Sequence, residues 1–170
     1  IGTAPLILLK ARGVNLVSIA SIDYNATMGV AVLDDSPIRK PKDLEGKTVG
    51  QTGASSDAAF FPIFCERAGV DISKVRVVNI DANIRTRTLW ERKVDAITGQ
   101  ANSILPASVA AGKPTRYMLY DDYGIKLYAD TLVVRPEYLE KNRAVCEAVT
   151  AGILEGVAYQ VTRPKDTMGI

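Results

Sequence analysis

Short β-branched runs and helical periodicities take turns along this chain, and that alternation is its strongest constraint on architecture. Asn15 to Ala20 (NLVSIA), Met28 to Leu33 (MGVAVL), Lys47 to Gln51 (KTVGQ), Val75 to Ile80 (VRVVNI), Val94 to Thr98 (VDAIT) and Thr131 to Val134 (TLVV) read as strands. Between them Ala59, Phe60, Ile63, Phe64, Arg67 and Ala68 fall at helical spacings, which predicts a helix from Ser56 that stops at Gly69. A second helix runs from a cap at Asp81 or Asn83 to Trp90, a third comes after Gly99 to Ser103 and ends near Ala111, and a long one spans about Arg143 to Val161. Strands and helices in such close succession predict βαβ units: an α/β fold with a mainly parallel sheet and helices on both faces. Val75 to Ile80 is β-branched enough to be expected as a buried strand.

Charge and composition exclude several functions. With 21 basic and 19 acidic residues the formal net charge is +2, so nothing in the balance calls for nucleic acid or an anionic membrane. The histidine count is 0, which removes the Ser-His-Asp triad, the Cys-His pair and Cys/His zinc sites together. No metal site and no cofactor is expected. Apolar stretches are short and flanked by charges, so no membrane span is predicted. Cys65 and Cys146 each lie on an apolar helical stripe, with Phe61, Phe64 and Ala68 and with Val145 and Val149. They read as two buried thiols or as a pair, and neither identifies a compartment. The chain starts at Ile1 without a signal-like segment and ends at Ile170 without a stop signal, like a segment of something longer.

Familiar catalytic patterns are missing. Gly46-Lys47-Thr48 looks like the end of a phosphate loop, but Pro41 stands where the earlier glycine is required and Lys47 opens a strand. There is no Gly-x-Ser-x-Gly elbow and no Gly-x-Gly-x-x-Gly. Asp121-Asp122 sits in a turn and reads as solvated. Arg85, Arg87, Arg92 and Lys93 surround one helix and read as a solvated face.

Two corners look like sites. Gly50-Gln51-Thr52-Gly53-Ala54-Ser55-Ser56-Asp57 joins a strand to a helix. Its glycines permit close approach or positive φ, and its hydroxyls and helix-start N–H groups suit an anionic or carbonyl-bearing ligand. Ligands of open α/β sheets bind at the carboxyl ends of strands, where this corner falls. Ser55 or Ser56 acting only as a helix cap explains the same residues. Thr98-Gly99-Gln100-Ala101-Asn102-Ser103 has the equivalent position after a later strand, and Gln100 and Asn102 offer both donors and acceptors. A polar loop with a cap is the alternative there too.

The order and spacing of further pieces resemble a known family. Pro37-Ile38-x-x-Pro41-x-Asp43-Leu44-x-Gly46-Lys47-x-Val49-Gly50, then Gly53-x-Ser55-Ser56, Cys65-Glu66-Arg67-Ala68-Gly69-Val70-Asp71 and Val94-Asp95-Ala96 are similar to the periplasmic solute-binding proteins of ABC importers, in the NMT1/THI5-like group for nitrate, sulfonate, taurine and thiamine-pyrimidine precursors. Asp122-Tyr123-Gly124-Ile125-x-x-Tyr128-x-Asp130-x-Leu132-Val133-Val134 with Tyr138-Leu139-x-x-Asn142 resembles the pyrimidine-precursor branch.

The resemblance implies a periplasmic-binding-protein type II fold of two α/β lobes closing on a ligand. Residues 1–34 and 121–170 would form an incomplete first lobe and residues 35–120 the second. It implies a non-enzyme that carries a small solute to the membrane permease of an ABC importer. The protein would be monomeric, without nucleic acid, in the periplasm or as a bacterial surface lipoprotein. Carried over residue by residue, Gly53, Ala54, Ser55, Ser56 and Asp57 match the ligand-facing loop, Gln100 and Asn102 lie where side chains vary with substrate, and Thr3 sits in a first-lobe loop. Tyr24 and Tyr123 are aromatic walls or hinge core. Two other functions on this fold stay open: an enzyme using Ser55 or Ser56 with Asp57 or Asp95, and a ligand-sensing regulatory domain.

Overall fold

The computed structural model describes residues 1–22, 25–53, 55–128 and 130–167. The chain divides into two compact units, Ile1–Tyr24 with Tyr128–Ile170, and Asn25–Leu127.

In the first unit, helix α1 (Thr3–Ala11) leads to strand β1 (Val17–Ser21). The chain returns to this unit as β7 (Thr131–Val134), succeeded by helices α5 (Pro136–Lys141), α6 (Arg143–Thr162) and α7 (Pro164–Thr167). β1 and β7 form a two-stranded antiparallel sheet, with Val17 opposite Val134 and a register shift between Ser18 and Ala20. Thr131 Oγ1 donates to the Ala20 carbonyl at 2.7 Å and is itself bonded by the Ser18 hydroxyl. Pro136 opens α5, where a missing N–H costs nothing. α6 buries Cys146 but leaves Val145, Val149 and Leu154 exposed, so the apolar stripe expected around Cys146 is covered at one position only. Within this unit α6 packs against β1, α5 and α7.

The second unit holds a five-stranded sheet of β2 (Met28–Leu33), β3 (Thr48–Gln51), β4 (Arg76–Asn79), β5 (Ala96–Gln100) and β6 (Thr115–Leu119) in the order β4-β3-β5-β2-β6. β3 runs parallel to β4 and β5, whereas β2 is antiparallel to β5 and β6. Four of the five strands therefore share one direction and β2 alone is reversed. Helix α2 (Ser56–Arg67) covers one face; α3 (Arg85–Trp90) and α4 (Ala101–Ala110) cover the other. Every residue of β2 is buried, as its unbroken apolar run requires. On the α2 face Phe61 and Phe64 pack with Tyr120, the Phe64 and Tyr120 rings 4.8 Å apart. Each such ring contributes about 1.5–3 kcal/mol by leaving water. On the other face Ala31, Leu33, Leu89, Val94, Ile97 and Ile104 form the core.

Three expectations need correction. β4 is an edge strand, not a buried one, and Val77 is 45% exposed: its β-branched residues satisfy strand geometry without a second neighbour. The unit boundaries lie at 24/25 and 127/128, not at 34/35 and 120/121, because β2 is central to the second unit's sheet and Ile125 is buried with it. Residues 98–100 are not a loop: they complete β5, and α4 starts at Ala101 without a connection. Gly69 does terminate the first predicted helix, at φ +70 with open space around it. Both cysteines are free and buried.

Candidate functional site

β3 and β5 lie side by side with Gly50 opposite Ile97, so β3 ends at Gln51 beside Thr98 and β5 runs on to Gln100. Each end leads into a polar segment. After β3 the chain turns through Thr52 and Gly53 into α2. Ser55 is the helix cap: its hydroxyl accepts from the Ala58 N–H at 3.3 Å and donates to the Thr52 carbonyl at 2.7 Å. Its proton is therefore committed. Gly53 lies outside the positive-φ region, and its N–H donates to Asn79 Oδ1 at 2.8 Å. Two of the donors expected to be open are thus consumed internally. Ser56, the first helical residue, is half-buried, and among the described residues its hydroxyl has no partner. The N–H groups of Ser56 and Asp57 belong to the first turn, which has no intrahelical acceptor for them. Ala54 lies outside the described residues, as does Tyr24.

Asp57 is buried, 5% exposed, and faces the sheet. Its Oδ2 accepts from Thr98 Oγ1 at 2.6 Å and lies 3.4 Å from Arg85 Nη1. The Tyr120 hydroxyl donates to the Asp57 carbonyl at 3.0 Å. The α2 start is thereby tied to β5, to α3 and to the segment after β6. Asp57 also sits in the first turn of α2, where the helix dipole favours a carboxylate.

Arg85 overturns the reading of its helix as a solvated face. Arg87 pairs with Glu91 in solvent and Arg92 with Asp35, but the Arg85 side chain is only 14% exposed. It lies across Gly99, where a β-carbon would stand 3.0 Å from Nη2. Nη1 reaches Thr52 Oγ1 as well as Asp57, at 3.4 Å each, and Nε has no partner among the described residues. Gln51 Nε2, Gln100 Oε1 and the Tyr117 hydroxyl are buried and unpartnered there too. Burial raises the Tyr117 hydroxyl pKa; the Arg85 charge lowers it and the Asp57 charge raises it. Tyr120 is pushed well up by burial first and by Asp57 second.

The remaining predicted residues are more scattered. Gln100 precedes α4 directly, its carbonyl accepting from the Ser103 hydroxyl at 3.0 Å. Asn102 is exposed in the first turn of α4. Thr3 belongs to the first unit, where its hydroxyl donates to the Tyr128 carbonyl at 2.7 Å. Tyr123 belongs to the second unit and packs edge-on against Phe64, ring centroids 5.1 Å apart, some two turns of α2 beyond Ser55. The structure thus brings together Thr52, Ser55, Ser56, Asp57 and Gln100, and adds Gln51, Arg85 and Thr98.

Chemically the corner offers hydrogen-bond donors beside a buried ion pair. Thr98 is the hydroxyl in contact with a carboxylate, and it is wholly buried. Among the described residues no three His, Cys, Asp or Glu side chains converge, and no helix is long and apolar enough to cross a membrane.

Three comparisons bear on this geometry. The family described as NMT1/THI5 like matches residues 3–167. The formylaminopyrimidine-binding protein of Halalkalibacterium halodurans is 25% identical over 167 residues, covering 97% of this chain and 50% of that protein. Among solved structures, the periplasmic aliphatic sulphonate binding protein SsuA of Escherichia coli superposes with a TM-score of 0.82 at 20% identity, over 99% of this chain and 57% of that one. The alkanesulfonate-binding protein SsuA of Xanthomonas axonopodis pv. citri, bound to MOPS, gives 0.73 at 14% identity, over 98% and 56%. These structural likenesses show the fold, that of periplasmic binding proteins. The chain spans about half the length of the curated relatives it matches.

Proposed function

We propose that this chain, which belongs to the NMT1/THI5-like family, acts as a solute-binding receptor of an ABC importer. It takes up a small polar or heteroaromatic solute outside the cytoplasm and delivers it unchanged to a membrane permease. A substituted pyrimidine of the thiamine-precursor kind is the leading solute class, after the name of the 25% identical relative; an aliphatic sulfonate is the alternative. The two compact units serve as the receptor's lobes, and the protein acts as a monomer.

One observation carries this reading: at the carboxyl ends of β3 and β5, donors are assembled and, among the described residues, no hydroxyl open to a guest is hydrogen-bonded to a carboxylate that could activate it. Ser55 has spent its proton on Thr52, and Thr98 is sealed from solvent. Such a corner can hold an acceptor-bearing guest and cannot attack it. The enzyme reading lacks that support, because among the described residues neither the Ser55 nor the Ser56 hydroxyl is hydrogen-bonded to Asp57 or Asp95.

Isothermal titration of the protein with a formylaminopyrimidine and, separately, with ethanesulfonate tests the reading. Saturable heat with the pyrimidine, and recovery of the ligand intact by mass spectrometry, is the expected result. No heat with either ligand, or a chemically altered ligand, overturns it.

A further inference from the structure

We propose that Arg85 is a positioning residue that turns the Thr52 hydroxyl into a fixed donor, so that the bound solute must present an acceptor atom at this corner. The inference rests on the solute-receptor reading above and deepens it.

Hydrogen-bond polarity decides the matter. A guanidinium has donors and no acceptor. Where Arg85 Nη1 meets Thr52 Oγ1, at 3.4 Å, the threonine oxygen can only accept. Its own proton must then point elsewhere. Among the described residues no acceptor takes it, and Thr52 is half-exposed. The neighbours have the same polarity. The first-turn N–H groups of Ser56 and Asp57 are donors without intrahelical partners. Ser55 offers no competing proton, since it already donates to Thr52. Around Thr52 the corner therefore presents donors to a guest, with Gln100 Oε1 as the unpartnered acceptor further along β5.

Arg85 can hold this orientation because three features fix it. Gly99 leaves the space its guanidinium occupies. Asp57, itself anchored by Thr98 at 2.6 Å, supplies a counter-charge at the same Nη1. Leu89, one turn along α3, buries the helix face that carries Arg85. The ion pair brings no net charge to the corner. It therefore suits a neutral acceptor, such as a formyl carbonyl or a pyrimidine ring nitrogen, better than a fully ionised sulfonate.

Titration calorimetry with a formylaminopyrimidine and with ethanesulfonate, on the wild-type protein and on Thr52→Val, Thr52→Ser, Arg85→Met and the Thr52→Val/Arg85→Met double variant, tests the proposal. Thr52→Val should weaken pyrimidine binding about tenfold, as the loss of one such bond implies. Thr52→Ser keeps the hydroxyl and should stay within about twofold. Arg85→Met should weaken binding about fivefold, and the double variant should be no more than about twofold weaker than Thr52→Val, because Arg85 acts through Thr52. Additive losses, or wild-type affinity in Thr52→Val, overturn the inference while leaving the receptor reading standing. Tighter binding of ethanesulfonate than of the pyrimidine overturns the preference for a neutral acceptor. A wild-type protein that binds neither ligand overturns both readings. Should Arg85→Met fail to fold, the Thr52→Val and Thr52→Ser pair still decides whether the hydroxyl donates to the ligand.

Discussion

Thr98 Oγ1 donates to Asp57 Oδ2 across 2.6 Å, joining the middle of a sheet to the first turn of a helix at a point closed to water. A carboxylate buried this deeply is tolerable because it has a hydroxyl and a guanidinium beside it. Replacing Thr98 by Val keeps the shape and strands the carboxylate. We expect a loss of about 1–3 kcal/mol in unfolding free energy, read from urea midpoints at constant slope. Asp57→Ala should cost more, since it leaves Arg85 buried without its counter-charge. A Thr98→Val protein as stable as the wild type would mean that the contact carries no energy.

Gly29 and Gly99 face each other across β2 and β5, yet their substitutions should differ. A β-carbon on Gly29 would stand 2.5 Å from the Met118 carbonyl oxygen, part of the backbone of β6. One on Gly99 would overlap the tip of Ile104 and press on Arg85, both side chains. Gly29→Ala should therefore destabilise by about 3 kcal/mol or more, and Gly99→Ala by about 1–2 kcal/mol. Ligand titration should show the reverse ranking per unit of lost stability, because only Gly99→Ala displaces Arg85.

Glu91 gives the chain an acid-sensitive contact. The ammonium of Lys93 and the guanidinium of Arg87 bond to its carboxylate and hold its pKa down at about 2, from an ordinary 4.5. A depressed folded-state pKa adds stability that is complete above the unfolded value and fades as pH falls from 4.5 toward 2. Urea midpoints of wild type and Glu91→Gln should thus be furthest apart near neutral pH and converge across that window. A constant gap would show that the ionised carboxylate contributes nothing.

Burial raises the Cys65 thiol to about 11. The thiolate is the reactive form, so Cys65 should resist Ellman's reagent at about pH 8 in the folded protein and react on unfolding. Rapid labelling of Cys65 without denaturant, located by peptide mass mapping, would contradict its place on the buried face of α2.

Much of this architecture is legible in the residues alone. The start of α2 at Ser56, its end at Gly69 and the bounds of β2 come from local rules of capping, positive φ and apolar run length. The β3–α2 corner stands out for the same reason. The inward turn of Arg85 is harder to see, although a signal exists: Arg85 and Leu89 are four residues apart, on one helical face. Asp57 is likewise in phase with Phe61, Phe64 and Cys65, all buried. Charge alone argues for solvent, and periodicity argues for the sheet; periodicity is the better guide because an opposite charge waits there.

The chain's residues by themselves determined several local conformations, among them the extension of β2, the Ser55 cap of α2 and its stop at Gly69, since these depend on neighbours within a turn or two. They did not mark β6, and α3 starts at Arg85 after Ile84 instead of at the expected Asp81 or Asn83 cap. Only tertiary structure decided that β2 runs against its neighbours, that β4 lies at an edge, and that Arg85, Asp57, Thr98 and Thr52 meet. Those outcomes depend on contacts between groups up to dozens of residues apart, whose energies become definite once the sheet has chosen its strand order.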